Sequence, residues 1–189
     1  MQKRFDSGVK ATDKKTKHGY DFYEVLSALQ KEIRRGNEYE AVFWAVELES
    51  FNIKTLWNRL RVVASEDIGL ANPSAVLIVD VLKNNYFETR NLEGDSYSYR
   101  LFLVNAVLFL ARSAKSRIVD DLLITVYGDV EDSKLLTIPD YALDKHTARG
   151  RAMKRGFEHF LQKGSKLKNE TIENPYKESS SRILLKKKK

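Results

Sequence analysis

LWNRLRVVASEDIGLANPSAVLIVDVL, residues 56–82, decides how the chain folds. Leu56, Leu60, Val63 and Ala64 recur at helical spacing and mark one apolar stripe, while Asn58, Arg59 and Arg61 lie off it. Gly69 can take the left-handed conformation that ends a helix without a Cβ penalty. Asn72-Pro73 then offers an N-cap and a first helical residue that lacks an N–H. The stretch therefore predicts a helix, a tight elbow and a second helix running from Pro73 to about Lys83. Ser65, Glu66 and Asp67 interrupt this apolar passage, and a buried polar group without a partner costs about 1–3 kcal/mol. All three are expected to have fixed partners, with capping and hydrogen bonding to a basic residue favoured over catalysis for Glu66-Asp67.

Upstream, Phe22, Val25, Leu26, Leu29 and Ile33 predict a helix with Asp21 as its N-cap, closed by Arg34-Arg35-Gly36-Asn37. A second helix is predicted from about Glu38 to Phe51, with Phe43-Trp44 assigned to the core rather than to a base-stacking platform. Downstream, Glu88–Ser98 is polar, contains Gly94 and reads as a loop or lid. Tyr99–Leu110 is apolar nearly all round, as expected of a central helix or one shared between subunits. Another helix is predicted from Ile118 to Tyr127, closed by Gly128; a strand over Leu122–Tyr127 is the alternative, disfavoured because helices flank it. The fold class is all-α, a helical bundle over residues 20–168 with flexible basic tails at 1–19 and 169–189.

The run from Val62 to Pro73 resembles the ASEDIGLADP signature of the replication-associated recombination protein A family. These are AAA+ ATPases, also called the maintenance of genome stability family, and the Werner helicase-interacting proteins are similar. Ser27–Asn37 followed by Ala41-Val42-Phe43-Trp44 looks like the same family's SALHKSIRGSD and AALYW segments, at a matching distance upstream. Ala111–Ser116 is a looser match to a third stretch. The resemblance covers about residues 20–127 and concerns the region that follows the ATPase core. It implies a domain similar to the clamp-loader collar, a homo-oligomer, typically a tetramer, and work in DNA replication, recombination or repair.

None of the nine glycines sits in a G-x-x-x-x-G-K-[ST] phosphate loop, so ATP hydrolysis by this chain alone is not expected. Without cysteine, and with three histidines at no zinc spacing, neither disulfides nor a metal site are expected; no Ser lies in G-x-S-x-G, and no catalytic residue or cofactor is assigned. No apolar run reaches the ~20 residues of a membrane span, and the expected location is the cytoplasm. The net charge of +7 is uneven: residues 1–19 carry 6 basic against 2 acidic residues, 20–144 carry 13 against 20, and 145–189 carry 14 against 4. An acidic middle with basic ends suits a polyanion or an acidic protein surface as partner. Lys145, Arg149, Arg151, Lys154 and Arg155 are the candidates for phosphate contact, because a helix would bring several of them to one side.

Two readings of function follow. The first is a non-catalytic oligomerisation and DNA- or protein-binding module, expected to form a homo-oligomer with DNA and replication proteins as partners and no membrane. Its apolar faces at Leu101–Leu110 and Trp44–Phe51 would pack within and between subunits. The second is a small enzyme acting on nucleic acid or a phosphorylated metabolite, with Asp144, His146, Arg149 and His159 as its site. Met1 and the terminal lysine run fit a complete small protein; a fragment is the alternative.

Overall fold

Asp21 starts the first helix as its sequence position predicts: its Oδ1 accepts from the backbone N–H groups of Tyr23 (2.8 Å) and Glu24 (3.0 Å). Helix α1, Phe22–Arg35, ends at Gly36 with φ 79° and ψ 19°, the left-handed cap that glycine takes without strain. In this computed structural model residues 14–92 and 97–186 are described, and the chain divides into two compact units between Ser133 and Lys134. The helical domain expected over 20–168 spans that boundary. The architecture is all-α, with no strand among the described residues.

In the first unit α2 covers Glu38–Val63, α3 Ala75–Leu92, α4 Arg100–Arg112 and α5 Ile118–Glu131. Helix α2 is two helices joined at Asn52, whose extended backbone (φ −153°, ψ 83°) breaks the run; its side chain recaps the chain by accepting from Thr55 N at 3.0 Å. That break is where the predicted helix ending at Phe51 gives way to the Leu56 stripe. Helix α4 is the centre, lying against α1, α2 and α3 with Leu103, Ala106, Val107 and Leu110 buried. An aromatic cluster fastens α2, α3 and the start of α4. The Tyr86 ring meets Trp57 at 5.5 Å and Tyr99 at 5.0 Å, both edge-on, and the Tyr86 hydroxyl donates to Glu49 at 2.7 Å.

Several expectations need correcting. Helix α3 begins at Ala75, not Pro73. Asn72 makes no N-cap; its side chain reaches Ser113 Oγ at 3.4 Å. The loop expected from Glu88 is helix through Leu92, because a solvent-facing last turn needs no apolar residues; positions 93–96 lie outside the described residues. Helix α5 runs past Gly128 to Glu131. Phe43 is 42% exposed and lies at the surface, whereas Trp44 is partly buried and packs against the edge of the core, so the core expectation holds in part for Trp44 and not for Phe43. At the N-terminus residues 14–19, expected to be loose, form a turn in which Thr16 is buried. His18 gives its backbone N–H (3.2 Å) and Nδ1 (2.6 Å) to the buried Glu47 carboxylate. Residues 1–13 of the expected tail lie outside the described residues.

The second unit contains the short helices α6 (Ala148–Ala152) and α7 (Phe157–His159) and helix α8, Lys177–Lys186. Helix α8 falls in the tail expected to be unstructured. It packs near α7, and Leu184 lines a recess of about 520 Å³ with Phe160 and Leu161. Lys187–Lys189 lie outside the described residues.

Candidate functional site

The elbow is built from Ala64 to Ala71 as one π turn, Ala64–Ile68, followed by one 3₁₀ turn, Gly69–Ala71. A π turn widens the backbone ring and rotates the side chains that follow, and here it aims Asp67 inward. Asp67 is fully buried. Its Oδ1 accepts from Arg34 Nε at 2.6 Å and from an Arg117 guanidinium nitrogen at 3.2 Å, and its Oδ2 accepts from Gln30 Nε2 at 2.9 Å. Glu66 accepts from the same two arginines at 3.1 and 3.2 Å, and Gln30 is itself held by Arg59 at 2.8 Å. Arg117 also pairs with Asp120, and the backbone N–H of Ser116 donates to the Asp67 carbonyl at 2.9 Å. The carboxylates thus latch α1, α2 and the entry to α5 onto one turn. Sequence reasoning missed Arg34, Gln30 and Arg117 as partners. Arg34 had only shown itself as a cation suited to a helix C-terminus.

Beside the latch Lys115 donates to the carbonyls of Leu110 (3.0 Å), Ala111 (2.8 Å) and Ser113 (2.6 Å), closing the end of α4. Burial pushes its ammonium below the usual lysine value, opposed by the Asp67 charge. Gly69 has φ 48°, and a Cβ there would stand 3.1 Å from Val119 Cγ2, so the elbow needs glycine both for its backbone and for the approach of α5. Ser65 is exposed and lines an open groove of about 470 Å³ with Val62, Val76, Val119 and Leu123.

Helix α5 touches the elbow and buries no residue. Eight of its large apolar side chains are at least 37% exposed, among them Leu122 at 60%, Tyr127 at 65% and Val130 at 67%. Leu101–Leu110 had been the candidate for a face shared between subunits. Leu103, Ala106, Val107 and Leu110 of that segment are interior while Leu101 is exposed, and α5 leaves the longer run of apolar side chains open.

In the second unit the five basic residues do not share one long helical face. Helix α6 has five residues, and Lys154 follows it in a left-handed turn (φ 54°). Arg151 donates to the carbonyls of Lys145 (3.3 Å) and His146 (3.1 Å). Arg155 donates to those of Asp140 (2.8 Å) and Leu143 (2.9 Å) and pairs with Asp140 at 2.5 Å. Both arginines therefore hold the segment together. The Lys145 ammonium lies 3.4 Å from the Phe157 ring centroid. Arg149 and Lys154 remain exposed and make no ion pair among the described residues. Gly150 is required for packing, since a Cβ there would overlap the Asp144 backbone.

Of the four residues of the enzymatic reading, Asp144 and His146 come together, with Nδ1 to Oδ2 at 2.9 Å and the His146 N–H on Oδ1 at 2.8 Å. The His146 bonds hold the Asp144 carboxyl below the usual carboxylate range. His159 instead faces Asp140 at 3.8 Å, and Arg149 pairs with neither acid. With Thr147 Oγ1 donating to the Asp144 carbonyl and accepting from Gly150 N, the Asp144 bonds shape the turn into α6. Among the described residues no group of three His, Cys, Asp or Glu could hold a metal ion, and no helix is long and apolar enough to cross a membrane.

Residues 37–181 match the family model described as MgsA AAA+ ATPase C terminal. The chain is 32% identical over 144 residues to replication-associated recombination protein A of Bacillus subtilis, an alignment covering 76% of this chain and 33% of that protein. The proteins of that name from Coxiella burnetii (28% over 143 residues; 75% and 31%) and Haemophilus influenzae (26% over 132 residues; 69% and 27%) are also similar. The chain spans about a third of the length of the curated relatives it matches.

Proposed function

Since the chain belongs to the family of MgsA AAA+ ATPase C-terminal domains, we propose that it is a non-catalytic module of DNA replication, recombination or repair that assembles through α5 and touches DNA with its basic second unit. The observation that carries this reading is the uncovered helix α5. At roughly 150 Å² for a fully bare side chain of this size, its eight exposed apolar residues present roughly 600 Å². That is at the upper end of the largest patch a typical monomer shows, about 300–600 Å², and approaches the ~800 Å² that each partner buries in a standard interface. The elbow supports the same reading, because Asp67, Glu66 and Arg117 fix where α5 leaves the bundle.

Hydrogen–deuterium exchange at rising protein concentration tests the assembly. The amides of α5 should become protected with concentration while those of α4, already interior, stay constant; α5 amides that exchange equally at every concentration would overturn it. Light scattering with and without single-stranded DNA tests the second contact. Complexes that dissolve as salt is raised are expected from an exposed cationic surface.

A further inference from the structure

Tyr39, Glu40, Phe43 and Trp44 open helix α2 and line a recess of about 210 Å³. Positions one turn apart share a face, so Tyr39 stands beside Phe43 and Glu40 beside Trp44. The rings are walls rather than a stack. Phe43 and Trp44 meet at 84° with centroids 5.0 Å apart, and Tyr20 abuts Trp44 at 88° and 5.3 Å. Tyr39 is 78% exposed. The other acids of this helix are engaged: Glu38 by Arg112, Glu47 by His18, Glu49 by Tyr86 and Arg100. Glu40 is exposed and makes no hydrogen bond or ion pair among the described residues.

Aromatic faces carry negative charge density and attract a cation placed over them, and an adjacent free carboxylate adds to that attraction. The same arrangement repels a phosphate. We propose that this aromatic corner receives a lysine or arginine side chain presented by a partner protein, the ammonium or guanidinium lying against the rings with Glu40 as its counter-ion. The complementarity is local and independent of α5 and of the basic second unit.

The test is an NMR titration of the full chain, following the Trp44 indole signal, with a glycine-flanked arginine peptide, its citrulline counterpart and a leucine counterpart. Citrulline keeps the shape of arginine and lacks its charge. Buried Trp57 serves as the internal reference. The arginine peptide should shift Trp44 saturably and bind about tenfold tighter than citrulline, the ratio that ~1.4 kcal/mol supplies. Glu40→Gln should remove most of that preference, and Phe43→Ala should remove the binding. Equal binding of the citrulline or leucine peptide would make the recess an apolar docking site and overturn the proposal. So would a Trp44 signal that no peptide moves, or a preference that survives Glu40→Gln.

Discussion

Replacing Asp67 with alanine removes the acceptor on which three elements converge. The carboxylate is fully buried and takes hydrogen bonds from Arg34, Gln30 and Arg117. Breaking a buried ion pair from one side typically costs about 3–5 kcal/mol, since the remaining charge stays desolvated. Here Arg34 is one-third exposed, and Glu66 still accepts from both arginines at 3.1 and 3.2 Å, so the loss falls at the low end, about 3 kcal/mol. For a chain of this size that lowers Tm by about 6–12 °C. Arg117→Ala should cost less, about 1 kcal/mol, because Arg117 is 39% exposed and Asp67 keeps its other two donors. Urea unfolding followed by the fluorescence of buried Trp57 reads both variants. If Asp67→Ala cost no more than Arg117→Ala, the latch would not organise the elbow and the reasoning would fail.

Further outcomes follow from other parts of the structure. Gly69→Ala should destabilise by about 1–2 kcal/mol through its positive φ and the Val119 contact; pairing it with Val119→Ala should return the steric part, as thermal unfolding would show. Burial, then its bond to Glu49, raises the Tyr86 hydroxyl above the usual tyrosine value. The folded state therefore holds that proton more tightly, and stability should fall as pH rises from the ordinary tyrosine range toward the raised value, a loss that Tyr86→Phe abolishes. Glu47, whose burial would raise it but whose bonds from His18 hold it below the usual carboxylate range, works at the other end: stability from the N-terminal turn should be present above the ordinary glutamate range and fall with further acidification, and Glu47→Gln should flatten that limb. In the second unit Arg149→Glu with Lys154→Glu should weaken single-stranded DNA binding and its salt dependence at unchanged helicity. Arg155→Ala should instead lower stability, by freeing the Asp140 and Leu143 carbonyls.

The parts of the fold legible in the sequence are those set by local chemistry. Asp21 and Gly36 bracket α1 because capping is decided within one turn, and the stripe from Leu56 to Ala64 announces its buried face. Glu66-Asp67 marked the elbow, since unpaired burial would be too costly; Ser65, expected to be fixed in the same way, is exposed. Their partners were not legible, because Gln30, Arg34 and Arg117 lie 37, 33 and 50 residues from Asp67 and only tertiary packing unites them. In the sequence Tyr99–Leu110 and Ile118–Tyr127 both read as helices rich in apolar residues. The first is enclosed by α1–α3 and the second is left bare, a difference of topology rather than of composition. The arrangement of the basic segment was not legible for a related reason: helical spacing places Arg151 and Arg155 on a face only if a helix lasts, and theirs ends at Ala152.

The most direct test of an assembly helix held by a charged latch is the mass in solution. Multi-angle light scattering across a concentration series should return a multiple of 21.8 kDa for the native chain. Leu122→Glu combined with Val126→Glu, on the outer face of α5, should return a single chain with unchanged helical content. A native chain that stays at one-chain mass at every concentration would contradict the account.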